Sequence, residues 1–177
     1  MTTVWPIEGV LRKTETALLL IDMQIDFVAN GGWFDRMGVP LDAVRRCIPT
    51  AKQLLAAFRE SGILVVHTRQ TYREDGYDLN PSLRFRSGKS GVMLGAGEDG
   101  QRPLTKNQHG WRIIADLQPK GDEPVVDKPG YGAFSHTELE RLLRGKSIRN
   151  LVIAGVTTNC CVQSAFRDAA DVGFDCA

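Results

Sequence analysis

The chain has 177 residues, 42% of them hydrophobic and 24% charged, with a formal net charge of +1. That length carries one domain with a sizeable core. A near-neutral balance supplies no field for nucleic acid, and no apolar run reaches the length of a bilayer span, so neither nucleic acid nor membrane is expected as a partner.

The opening Met1-Thr2-Thr3-Val4-Trp5-Pro6 carries no signal-peptide pattern. Ala17 to Ile21 is a continuous apolar run of strand length, ending at Asp22. From Pro49 to Glu60 apolar residues recur at Ala51, Leu54, Leu55 and Phe58, a helical spacing with Pro49 in its first turn and Ser61-Gly62 at its end. Ile63 to Val66 forms a second strand run, ending at His67-Thr68. The stretch Tyr72 to Gln108 has no clear period and reads as a long irregular loop.

Pro124 to Val126 is a third strand run, ending at Asp127-Lys128. His136 to Leu143 is expected to be helical, with Ser135 as its cap. Leu151 to Ala154 is a fourth strand, and Val162, Ala165, Phe166, Ala169 and Val172 mark a helix stopped by Gly173. Phe174 to Ala177 looks like the opening of another strand, so the sequence is expected to stop short of a C-terminal strand and helix. Runs apolar on both faces suit a parallel sheet. Their alternation with helices predicts a three-layer α/β/α domain with a mostly parallel, Rossmann-type sheet.

In such sheets, ligands bind beyond the carboxyl ends of the strands. Asp22, Lys128 and one of the paired cysteines, Cys160 or Cys161, fall at three such ends. A cysteine at a helix start meets backbone N–H groups and the positive end of the dipole, which favour thiolate and can receive an oxyanion. A carboxylate can take the thiol proton, and an ammonium can hold both anions. Each residue also has a plainer reading: Asp22 as a turn cap, Lys128 as a solvated loop residue, the cysteines as small buried hydrophobes. Spacing does not separate Cys160 from Cys161. Gly155 is placed for close backbone approach or unusual φ.

His67, His109 and His136 lie far apart in no zinc-like spacing, so no metal and no cofactor is expected. The four cysteines (47, 160, 161 and 176) form no disulfide framework, and a reduced, cytoplasmic setting is expected. A redox role for Cys160-Cys161 is disfavoured because vicinal disulfides are strained. A non-catalytic α/β interaction module is the competing reading.

These residues resemble the isochorismatase-like cysteine hydrolase superfamily. Ile21-Asp22-Met23-Gln24-Ile25-Asp26-Phe27, Asp127-Lys128-Pro129-Gly130-Tyr131-Gly132-Ala133-Phe134 and Gly155-Val156-Thr157-Thr158-Asn159-Cys160-Cys161-Val162 are similar to its three motifs, in order. Residues 1–177 then read as one isochorismatase-like hydrolase domain. The resemblance implies Cys161 as nucleophile, Asp22 as base and acid, and Lys128 as electrostatic partner. It also implies a non-proline cis peptide at Val156-Thr157 and oxyanion donors at the amides of Thr157 and Cys161.

Trp5-Pro6, His67-Thr68-Arg69, Arg84-Phe85-Arg86-Ser87 and Gly110-Trp111 are similar to the biuret amidohydrolase group within it. Nicotinamide is disfavoured because the metal cluster of nicotinamidases has no counterpart. The resemblance therefore implies cleavage of a C–N bond in a small ureide or carboxamide, with ammonia released through a thioester. Phe27, Trp33, Arg69 and Asn159 are candidate substrate-binding residues. A homo-oligomer, dimer or tetramer, is also implied; an isochorismatase-type hydrolase of another small substrate is the alternative.

Overall fold

A computed structural model describes residues 5, 6, 9, 11–89, 91, 93–95, 100 and 102–177. Five strands form one sheet: β1 (Thr16–Ile21), β2 (Leu64–Gln70), β3 (Val125–Lys128), β4 (Asn150–Gly155) and β5 (Asp175–Cys176). Their order is β3-β2-β1-β4-β5 and every pairing is parallel. The expected α/β sheet is therefore present.

All six residues of β1, the central strand, are buried. Period-two alternation divides them between two cores. Leu18 and Leu20 join one with Leu55, Val65 and Tyr72; Ala17, Leu19 and Ile21 join the other with Leu139, Leu143, Ala165 and Ala169. The first core is closed by α4 (Ile48–Glu60), which buries Ala51 and Leu55 and ends at Gly62 with φ +67°. The second is closed by α6 (Leu139–Gly145) and α7 (Gln163–Asp171). Three short helices precede α4: α1 (Ile25–Val28), α2 (Trp33–Arg36) and α3 (Leu41–Arg45).

Three expectations are corrected. The stretch read as irregular contains α5 (Pro81–Lys89). Its pattern is faint because it buries only Leu83 and Ser87 and leaves Phe85 66% exposed. The local signal was Asn80-Pro81: Asn80 Oδ1 accepts the Leu83 N–H at 2.8 Å, ahead of a proline suited to the first helical position. The helix expected from His136 begins at Leu139, because His136 has φ +59° and Thr137 Oγ1 accepts the Leu139 N–H at 3.2 Å. Ser135 is therefore not its cap. The helix expected from Val162 is preceded by a turn of π-helix, Thr158–Val162, which carries both cysteines.

Candidate active site

Asp22 follows β1 with φ +49°, a conformation that aspartate tolerates better than most residues. Its side chain is fully buried. Thr68, near the end of β2, donates its hydroxyl to Asp22 Oδ1 at 2.7 Å and accepts the Asp22 N–H at 3.2 Å. Lys128, the last residue of β3, is also fully buried. Its Nζ lies 2.8 Å from Asp22 Oδ2 and donates to the carbonyls of Gly130 at 2.8 Å and Tyr131 at 3.0 Å. Burial alone would depress the Lys128 ammonium, but the Asp22 and Cys161 charges outweigh it and hold its pKa above the ordinary value. Two strand ends thus pair a buried carboxylate with a buried ammonium, and the Cys161 sulfur lies close enough for both charges to act on it.

The sulfur-bearing turn is held by strand β4. Gly155 has φ +132°, and a Cβ there would stand 2.1 Å from the Ile21 carbonyl oxygen. Glycine alone permits β4 to pass this close to the end of β1. The Val156-Thr157 peptide is cis. The Thr157 N–H donates to no group among the described residues, while the Thr157 carbonyl accepts from the N–H groups of Cys160 at 3.0 Å and Val162 at 3.1 Å.

Cys161 is 4% exposed; Cys160 is half-buried. Their side chains share a hydrogen bond. That bond draws Cys160 down to about 7, against its burial and with help from the Lys128 charge. The same bond, then burial, then the Asp22 charge push Cys161 up.

Both cysteines open onto a cavity of about 570 Å³, which Thr157 and Asn159 also line. Phe27 and Trp33 form an apolar wall, their rings edge to face at 6.1 Å. Arg69 does not line this cavity. It alternates with Thr68 and Gln70 along β2, so it points to the opposite face. There it pairs with Asp127 at 2.8 Å and stacks on the Trp111 ring at 3.7 Å. Among the cavity residues not singled out from the sequence are two polar ones, Gln70 and Tyr131. The alternation from Thr68 could have found Gln70. Among the described residues, no group of three or more His, Cys, Asp or Glu is placed to hold a metal, and no helix is long and apolar enough to cross a membrane.

Residues 16–177 match the family model described as the isochorismatase domain. The chain belongs to the isochorismatase family. It is 32% identical over 162 residues to the ureidoacrylate amidohydrolase RutB of Acinetobacter baylyi, covering 89% of this chain and 66% of that protein. The Agrobacterium fabrum protein of the same name is 32% identical over 163 residues, covering 90% and 71%. The chain thus spans about two thirds of the length of these relatives. Among solved structures, an isochorismatase family protein from Desulfovibrio vulgaris is 29% identical with a TM-score of 0.74, over 92% of this chain and 77% of the other. A cysteine hydrolase from Pseudomonas syringae pv. phaseolicola shares the fold at a TM-score of 0.79 and 22% identity, over 98% of this chain and 72% of the other.

Proposed function

We propose that this protein is a cysteine-dependent amidohydrolase that cleaves a C–N bond of a small ureide or carboxamide, biuret-like in size, and releases ammonia. The observation that carries the reading is the fully buried Asp22–Lys128 pair, 2.8 Å apart, with the buried Cys161 sulfur within range of both charges. Cys160 is the more acidic thiol, yet a base acts only on a proton within hydrogen-bond reach. Cys161 is the more deeply buried of the two sulfurs and the one that the family motif implies as nucleophile. Its raised pKa fits a resting thiol that needs a base.

Asp22 takes the Cys161 proton as Sγ bonds to the substrate carbonyl carbon. The carbonyl electron pair moves to oxygen, which the Thr157 and Cys161 N–H groups receive. The oxyanion collapses, the C–N bond breaks, and the proton on Asp22 passes to nitrogen, which leaves as ammonia. Asp22 then takes a proton from water as that water attacks the thioester, and returns it to sulfur as the acid departs. Phe27 and Trp33 would shape the apolar side of the pocket and Asn159 a polar one.

The ureide class is supported by the names of the relatives at 32% identity. Four free cysteines fit a reducing, cytoplasmic setting. The family resemblance, with Tyr77 88% exposed and Phe85 66% exposed, supports a homo-oligomer, dimer or tetramer. An ammonia-release screen over biuret, ureidoacrylate and simple carboxamides tests the reading. Turnover of at least one by the wild type, lost in Cys161→Ala and kept in Cys160→Ala, is expected. Loss in Cys160→Ala with retention in Cys161→Ala contradicts it.

A further inference from the structure

One polar group in the cavity has no part in the chemistry above. Gln70 closes β2, is 2% exposed and lines the cavity beside Cys161. Its backbone is clamped on both sides by a second buried amide: Gln24 Oε1 accepts the Gln70 N–H at 2.8 Å, and Gln24 Nε2 donates to the Gln70 carbonyl at 3.0 Å and to the Trp111 carbonyl at 2.9 Å. The Gln70 side-chain nitrogen is engaged as well, donating to the Tyr72 hydroxyl at 2.5 Å. Tyr72 is fully buried. With its main chain and its nitrogen both held, the amide turns Oε1 toward Cys161, 3.8 Å from Sγ.

An acceptor fixed beside the nucleophile has a partner only while sulfur carries its proton, and a thiol is a weak donor. Once Asp22 removes that proton, a buried carbonyl lone pair faces a thiolate with no N–H between them. Leaving a buried acceptor unsatisfied costs about 1–3 kcal/mol. A substrate N–H is the group that restores the bond. A nitrogen attached to the carbon under attack stands within hydrogen-bond reach of an atom so close to Sγ.

We propose that Gln70 is a specificity-determining residue of this site. Its Oε1 accepts an N–H of the leaving nitrogen, turns the nitrogen lone pair toward the proton on Asp22, and selects carboxamides and ureides over esters of the same acid. Gln24 and Tyr72 are positioning residues that act through it. This rests on the hydrolytic reading above. A site built to bond a substrate N–H discriminates strongly against analogues without one.

The experiment compares an amide and the ethyl ester of the same acyl group, biuret and ethyl allophanate being the first pair. If biuret is not turned over, the carboxamide or ureide cleaved fastest in the ammonia screen replaces it, with its matching ester. Gln70→Leu is expected to lower kcat/KM for the amide about 10- to 100-fold and to leave that for the ester within about threefold of wild type. Tyr72→Phe keeps the ring and frees the amide to turn. It is expected to lose a few-fold on the amide alone, in kcat more than in KM. Equal losses on amide and ester would overturn the proposal, making Gln70 a mere support for Cys161. So would an unchanged amide rate in a folded Gln70→Leu protein. A wild-type protein that turns over no amide or ester is a different failure: the hydrolytic reading falls first and this one with it.

Discussion

Both ends of the sheet bury charge, and they use it differently. At the amino end of β3, Glu123 accepts from Arg59 Nε at 2.6 Å and Nη2 at 2.7 Å, from the Lys120 N–H at 3.0 Å, and meets His67 Nε2 at 2.9 Å. Burial raises its pKa, but Arg59, the Lys120 N–H and His67 outweigh burial and hold it at about 2. At the carboxyl ends, Asp22 Oδ2 meets the Lys128 ammonium and makes no further hydrogen bond among the described residues. A carboxylate engaged by three separate residues holds elements together. One that meets only the Thr68 hydroxyl and the Lys128 ammonium keeps capacity to accept a proton. Structural charge and the proposed catalytic charge thus lie at opposite ends of the same strands.

Substitutions at the two ends should separate along that line. Asp22→Asn is expected to reduce turnover by three orders of magnitude or more, since members of a cooperating catalytic unit fail together. Lys128→Ala should lose as much and also stability, about 3–5 kcal/mol, because it strands a buried carboxylate; denaturant unfolding alongside ammonia release separates the two effects. Gly155→Ala tests the frame that joins them. A Cβ 2.1 Å from a backbone oxygen at φ +132° should cost several kcal/mol in the same unfolding assay, or leave little folded protein to assay.

The smallest effect is expected at the other end. Glu123→Gln should leave kcat near wild type and lower stability at pH 7 by about 1–2 kcal/mol. The folded-state pKa of Glu123 lies below its ordinary 4.5, so this stabilisation is present above pH 4.5 and lost as pH falls toward 2. The difference between variant and wild-type melting should therefore shrink over that acid range. A gap that persisted unchanged at pH 2 would count against the charged cluster as its source.

The contrast also explains what the sequence made legible. The central strands are apolar on both faces, so Ala17 to Ile21 could be placed within one residue. The helix Pro81–Lys89 has one large buried apolar side chain, Leu83, and leaves no period to read. Asp22, Lys128 and Cys161 were legible because each sits where an apolar run ends. Gln70 and Arg69 are adjacent on one strand, and a one-residue change of parity moves a side chain to the other face. Composition held no information on which of them faces the cavity. Spacing alone did not rank Cys160 and Cys161; the family motif implied Cys161, and the π-turn buries that sulfur while leaving Cys160 half-buried.

The most direct test of the account is to quench wild-type enzyme during turnover of its best ureide, with acid, and map the acylated peptide by mass spectrometry. The account predicts one acyl group per chain, carried on Cys161. An acyl group on Cys160, or steady ammonia release by Cys161→Ala, would contradict it.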